Sequence, residues 1–481
     1  MSRVAAATIA CAGALAACGS SAPPMSSPPH GEAAAASTHV ADGDWTTFDY
    51  DASRTGADPA TTGITAANAR GLGRRVIRID GVADSAPIQV HAIRVRGRVR
   101  DVVVVTTTFG HTIAFDPHRG AKLWEFLPSP SAQITTAAPV LDPNRRFVYA
   151  ASPDGMIHKL SVVSGRQVWA ARITFDPRRE KIAGALNISG RYVVAVTGGY
   201  FGDAPTYQGH LALIDRSSGR IAHVWNSLCS DRHHLLDPPS SCPFSDSAIW
   251  GRAGAVVEPG TGRLLIATGN GPFNGRTNWG NSALELSPDA SALLHSWTPS
   301  NQKQLAGSDT DVGSTAPALL GGGLSVQGGK DGLLSLLRLD RLAVGHTGGE
   351  LQRVSSPGGG EVLTAPAVWR HGGRTWLFVA DDGGTAAYVL SGGRLHVAWQ
   401  DGVGGTSPVL AGGLLYIYDQ SAGTLRILRP LSGATVATLP AANGHWSSPI
   451  VVGGRVILAV GGSTSDNATS GTVFVYHLAG R

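Results

Sequence analysis

Residues 405–439 carry the clearest alternation of apolar runs and turn residues in the chain. Four short apolar runs, Ser407–Leu410, Leu414–Tyr418, Thr424–Leu428 and Ala434–Leu439, are separated by Gly-Gly, Ser-Ala-Gly and Ser-Gly. Strands bounded by turn residues have this pattern. The unit therefore predicts a small antiparallel meander. One meander cannot bury both of its faces, so it is stable only where copies stack.

Copies are present. A small-residue start resembling Gly405-Thr-Ser-Pro recurs at Asp84, Thr135, Ala183, Ser245, Gly313, Thr364 and Trp446. The copies are spaced by roughly 40 to 70 residues, near the length of a four-stranded blade with its loops. The pattern predicts an all-β, eight-bladed β-propeller of four-stranded antiparallel blades. The last copy ends after three strands, and an unpaired apolar segment, Leu72–Ile79, precedes the first. Pairing the two termini would complete the eighth blade and remove the exposed sheet edges.

Composition supports one large β domain. Of 481 residues, 42% are hydrophobic and 63 are glycine, and little of the sequence reads as long amphipathic helix, which fits a ring of short strands and turns. The net charge of +5 is modest, and no run interleaves basic residues with stacking aromatics, so nucleic acid is not an expected partner. Residues 1–17 read as an export signal, too short to span a membrane. Leu15-Ala16-Ala17-Cys18-Gly19 resembles a bacterial lipobox, which implies lipidation at Cys18 and attachment to a membrane of the cell envelope. Residues 18–43 are rich in Ser, Pro and Ala and read as a disordered tether, leaving 44–481 for the propeller.

Asp44–Pro59 holds a Trp, a Phe and then Arg-Thr-Gly. Ala114 to Trp124 follows the spacing Ala-x-Asp-x-x-x-Gly-x-x-x-Trp. Both stretches resemble the pyrroloquinoline-quinone-type propeller family. In that resemblance Asp116 and Gly120 shape the turn between the third and fourth strands, and Trp124 lies on the next blade. Gly165 and Trp169 keep the spacing, and Trp225, Trp297 and Trp399 follow as looser copies. These tryptophans read as blade-docking glue, since buried aromatics at repeat positions are usually core.

Cys229 and Cys242 flank a short loop in the connection from the third to the fourth blade. In an exported protein they read as a disulfide, which would contribute about 3 kcal/mol in the chain-entropy model. A metal site of Cys229, His233, His234 and Cys242 is the rival reading, at a spacing that is not standard for zinc.

Between Ser245 and Gly332 the order of motifs resembles the quinoprotein alcohol dehydrogenases. Carried onto this chain, Asn270 of Thr268-Gly-Asn-Gly would offer its amide oxygen to calcium. Asp309 or Asp311 would be the base, with Asp309 a further ligand, and Lys330 and Arg252 would face the carboxylates of the quinone. His445, Trp446 and Trp369 sit at or beside first strands, where Trp446 could touch a cofactor or simply pack. The resemblance implies pyrroloquinoline quinone and Ca2+ as cofactors and alcohols or sugars as substrates. Calcium takes oxygen ligands and acts as a Lewis acid, a nearby carboxylate can take a hydroxyl proton, and a polyanion needs fixed positive charge.

Three departures qualify it. Thr197 to Asp203 has no Glu where the family supplies a calcium ligand, unless Asp203 substitutes. The adjacent cysteine pair is absent, and there is no Cys-x-x-Cys-His haem motif, so electrons would leave through a separate acceptor. The alternative expectation is a non-catalytic propeller scaffold at the envelope, since Thr-Gly-Asn-Gly and Lys-Asp-Gly are also ordinary turn sequences.

Overall fold

The structure is a computed structural model, and it describes residues 40–461 and 467–480. The expected signal, the lipidation site Cys18 and most of the expected tether lie outside the described residues.

Eight antiparallel sheets follow one another along the chain. We number them blade 1 (88–126), blade 2 (140–172), blade 3 (187–226), blade 4 (256–297), blade 5 (318–355), blade 6 (367–401), blade 7 (409–440) and blade 8 (450–477 with 73–80). The fold is an eight-bladed β-propeller of four-stranded blades, with one six-residue α-helix, Gln302–Gly307, among the described residues. Gly73–Asp80 is the outer strand of blade 8, paired antiparallel with Ser470–His477 from Gly73↔His477 to Asp80↔Ser470. The ring thus closes with strands from both ends of the chain, as the sequence predicts.

The small-residue starts have a physical reason. Thr135 and Thr136 donate their hydroxyls to the Ile182 and Ala183 carbonyls of the next repeat, Ser314 and Thr315 to Val362 and Thr364, and Ser447 to Ala83. Short hydroxyl side chains here tie each repeat to its neighbour around the channel, where a larger residue would hold the blades apart.

Farther out, the tryptophans meet the adjacent blade. Trp124 donates its indole N–H to the Val162 carbonyl at 2.7 Å, and Trp399 to that of Pro430 at 2.6 Å. Trp169 reaches the Arg216 carbonyl at 3.3 Å, and Trp297 the Glu350 carboxylate at 3.1 Å. Trp225 is buried in the core between blades 3 and 4. Gly165 has φ near +70°, and a Cβ there would lie 2.5 Å from the Trp124 ring, so the turn requires glycine on both counts.

Because the strands alternate in direction, the turns between strands 1–2 and 3–4 of every blade lie at one face of the ring. The 2–3 turns and the connections between blades lie at the other. Residues 44–58 cross the first of these faces. Thr46 accepts a backbone bond from Leu141 of blade 2, Ala52 from Val257 of blade 4, and Thr55 from Val368 of blade 6. Blades 2 and 6 stand opposite each other in a ring of eight, so this segment plugs the channel. Arg54 locks it, with its guanidinium donating to the carbonyls of Phe48, Leu186 and Ala253.

Candidate functional site

The N-terminal segment covers one face of the ring and leaves the opposite face uncovered. The loops of that face bring two ion clusters to it, the first built from a connection and two 2–3 turns, the second from connections between blades alone.

The first cluster lies between the end of blade 4 and blade 5. Asn270 follows the strand Leu264–Ala267, Lys330 follows Leu324–Gln327, and Asp309 and Asp311 lie in the connection between the blades. The Asp311 carboxylate accepts the backbone N–H of Asn270 at 2.5 Å and pairs with Lys330 Nζ at 2.6 Å. Lys330 Nζ is also 3.6 Å from Asp309 Oδ2 and lies 5.4 Å from the centre of the Trp250 ring. Asn270 Nδ2 donates to Asp309 Oδ1 at 3.2 Å. The approach requires Gly269, since a Cβ there would lie 2.5 Å from Asp311 Oδ1.

Burial pushes the Asp311 carboxyl above the ordinary carboxylate value; Lys330 opposes that shift and Asp309 adds to it. Burial opposes the charge on Lys330 as well, but Asp311 outweighs it and holds the ammonium above its usual range. Burial also raises Asp246, with Asp203, Asp311 and Asp309 contributing. Four carboxylates therefore feel one another here.

The second cluster joins the connections that precede blades 1, 4 and 8. Arg252 reaches Asp84, with Nη2 donating to Oδ2 at 2.8 Å and Nη1 to the Asp84 carbonyl at 3.0 Å. Asp84 also accepts the backbone N–H of Trp446 at 3.0 Å, and His445 Nδ1 lies 2.9 Å from its Oδ2. Arg252 lies over the Trp446 ring at 4.7 Å, and His445 stacks on Trp446 with centroids 4.0 Å apart. Burial works against ionisation of Asp84, but Arg252 and His445 outweigh it and hold the carboxyl well below the usual range.

The structure thus gathers Asn270, Asp309, Asp311 and Lys330 into one group, and places Arg252 and Trp446 in a second group with Asp84. Trp250, two residues from Arg252, links them through Lys330. Trp369 lies elsewhere, near the plugged face, stacked on His371 at 4.1 Å. Asp203 accepts the Tyr207 hydroxyl at 2.6 Å. Tyr200, in the stretch where the family would have its Glu, turns its hydroxyl to the carbonyls of Ile134 and Pro177. Cys229 and Cys242 are joined by a disulfide with Cα atoms 6.1 Å apart. Among the described residues no group of three or more His, Cys, Asp or Glu is arranged to hold a metal ion, and no helix is long and apolar enough to cross a membrane.

Asp84 and His445 were not singled out by sequence as an ion pair. The available signal was that, among the eight repeat starts, only the first opens with an acidic residue.

Residues 90–252 match the family described as outer membrane protein assembly factor BamB. No curated protein matches the sequence. Among solved structures, the quinohemoprotein alcohol dehydrogenase of Comamonas testosteroni is similar over 91% of this chain and 81% of its own, with 14% identity and a TM-score of 0.69. A europium-containing methanol dehydrogenase is similar over 91% of this chain and 98% of its own, at 16% identity and a TM-score of 0.66. BamB from Moraxella catarrhalis covers 85% of this chain and 98% of its own, at 13% identity and a TM-score of 0.52. At these identities the likeness is one of fold.

Proposed function

We propose that this is an exported, lipid-anchored propeller of the cell envelope that binds a quinone of the pyrroloquinoline type at the open mouth and oxidises alcohol or sugar hydroxyls there. The observation that carries this reading is the convergence of Asn270, Asp309, Asp311 and Lys330, drawn from two blades and the connection between them, on one buried carboxylate–ammonium pair.

These residues fit the polar edge of such a cofactor. Lys330 offers an ammonium, and Arg252 a guanidinium, to its carboxylates and carbonyls. Asn270 and Asp309 offer oxygen atoms to calcium, with the remaining positions left to water and to the cofactor, as hard cations accept. When bound, the quinone would supply a two-electron acceptor, and electrons would pass on to a separate partner.

Asp311 is suited to take the hydroxyl proton. Its carboxyl is raised by burial, which makes its carboxylate a stronger base than an exposed one. Lys330 stays charged across the physiological range and keeps the pair in register. Trp250 and Trp446 are half-buried at the mouth and present ring surface to a planar ligand.

A second reading, a non-catalytic envelope scaffold, is supported by the match of 90–252 to the assembly-factor family and by Arg252 being already neutralised by Asp84. Titration with pyrroloquinoline quinone, with and without calcium, separates the two. Calcium-dependent binding that is lost in Asn270→Ala and Lys330→Ala supports the quinoprotein reading, and a dye-linked assay across alcohols and aldoses then identifies the substrate. No binding at high micromolar cofactor would overturn it in favour of the scaffold.

A further inference from the structure

The two faces of the ring differ in charge. At the plugged face, the 1–2 and 3–4 turns of blades 1, 2, 3, 6 and 7 present exposed arginine, while those of blades 4 and 5 carry Glu258, Asp289 and Asp340. Arg119 (blade 1), Arg166 (blade 2), Arg220 (blade 3), Arg374 and Arg394 (blade 6) and Arg429 (blade 7) are all exposed, and none has an ion-pair partner among the described residues. At the open face, the 2–3 turns and the connections present several aspartates, alongside the cations Arg178, Arg276 and Lys303. Asp154, Asp203, Asp246, Asp309, Asp382 and Asp419 lie there, none fully buried. A net charge of +5 over the whole chain therefore hides a polarised molecule.

The N-terminal chain leaves from the basic face. Asp44 is bonded to Arg145 in the 1–2 turn of blade 2 at 2.8 Å and to the backbone N–H of His91 in blade 1 at 2.7 Å. An anchor on the segment before Asp44 would tether the ring from this side.

We propose that the plugged face is a docking surface for anionic lipid headgroups, and that the ring lies on the membrane with its arginine turns down and its acidic mouth outward. Arginine near an anionic bilayer is attracted within about a Debye length of the surface, and its planar donor fork suits phosphate oxygens. The acidic face is repelled by the same surface, so the two faces favour one orientation. The mouth that carries Asp311 and Lys330 then opens to the aqueous side, where a soluble substrate or electron acceptor can reach it. The orientation rests on the lipid-anchor reading above; the affinity of the face for lipid does not.

The test uses two triple variants of the full chain carrying Cys18→Ser, which cannot be lipidated. One removes three charges from the basic face, Arg119→Gln, Arg220→Gln and Arg374→Gln. The other removes three from the open face, Arg178→Gln, Arg276→Gln and Lys303→Gln. Both have the same net charge and the same N-terminal segment, so they differ only in where the charge was lost. Circular dichroism melts establish that both fold.

Co-sedimentation is measured with phosphatidylcholine vesicles, with and without phosphatidylglycerol. The expected result is binding that requires phosphatidylglycerol, falls with added salt, and weakens at least about tenfold in the first triple while staying within about twofold in the second. Equal loss in the two triples would show attraction by net charge alone and overturn the proposal, as would binding that ignores phosphatidylglycerol. Labelling of the unaltered protein with radioactive palmitate reads the anchor at Cys18 separately, so failure of one reading is not mistaken for failure of the other.

Discussion

Asp84 and Asp311 stand at the same mouth, and each faces a cation that lies over a tryptophan ring. Both are almost wholly buried, at 1% and 4% exposure. Yet the Asp84 carboxyl is held far below the ordinary carboxylate value and that of Asp311 is pushed above it. Burial raises both, so burial does not decide the outcome. The difference lies in the donors. Arg252, His445 and the Trp446 N–H converge on Asp84, whereas Asp311 has Lys330 and one backbone N–H, with Asp309 and Asp246 adding negative charge nearby. A carboxylate with its acceptor sites filled is a structural pin, and one left short of donors is ready to take a proton.

The sharpest way to break this comparison is to remove the cation from the pinned side. Arg252→Met leaves Asp84 buried and without its strongest partner, and such a loss costs about 3–5 kcal/mol. Urea unfolding should show this as a lower midpoint at unchanged slope. Adding Asp84→Asn should recover part of the loss, because the orphaned charge goes with it. A loss below about 1 kcal/mol for Arg252→Met would mean that His445 and the Trp446 N–H suffice, and the two aspartates would differ less than their surroundings suggest.

The matching change on the other side should cost less. Lys330→Met removes the cation beside Asp311, and since that carboxyl is already raised and loses the group that opposed the shift, it can take up a proton rather than remain as a buried unpaired charge. The expected loss is about 1–2 kcal/mol by the same unfolding measurement. A loss equal to that of Arg252→Met would show that Asp311 is pinned after all.

The pH dependence separates the two carboxylates with smaller effects. The folded protein holds the Asp311 proton more tightly than the unfolded chain does. Its contribution therefore lowers stability as pH rises from the ordinary carboxylate value, about 3.9, through the raised folded value. Asp84 has the opposite sign. Its stabilisation is complete above the ordinary value and is lost as pH falls below it. Melts taken upward from the ordinary carboxylate value, about 3.9, should flatten in Asp311→Asn and keep their slope in Asp84→Asn, whose effect appears only in more acid solution. An unchanged slope in Asp311→Asn would place the titrating group elsewhere, with Asp246 the next candidate.

The two clusters were not equally legible in the sequence. Blades, their number and the closing strand follow from local rules, since apolar runs and turn residues repeat and each copy corroborates the others. Asn270, Asp309, Asp311 and Lys330 also lie within about two repeats of one another, in turns whose face is set by strand direction. Asp84 and Arg252 are separated by three blades and meet only because the ring is closed. No local pattern announces such a pair. The plug is the same case. Its Arg54 lies in a stretch that resembles the family, yet its hydrogen bonds run to carbonyls more than a hundred residues away, and only the finished channel reveals them. The polarity of the two faces was present in the sequence throughout, but it is visible only after every arginine is assigned to a turn.

The smallest expected effect is also the finest probe of the open side. Asp309 is exposed, with 65% of its side chain accessible, so Asp309→Asn should change stability by no more than about 0.5 kcal/mol. The asparagine can still accept the Asn270 amide, so the loop should keep its shape. What changes is one negative charge beside Asp311. Asp309 raises the Asp311 carboxyl and Lys330 lowers it, so Asp309→Asn and Lys330→Met should move the pH-dependent part of the stability curve in opposite directions, downward for the first and upward for the second. If Asp309→Asn leaves the curve in place, solvent screens its charge from Asp311. The raised carboxyl would then be the work of burial and its closer neighbours alone, and the contrast with Asp84 would reduce to a count of hydrogen-bond donors.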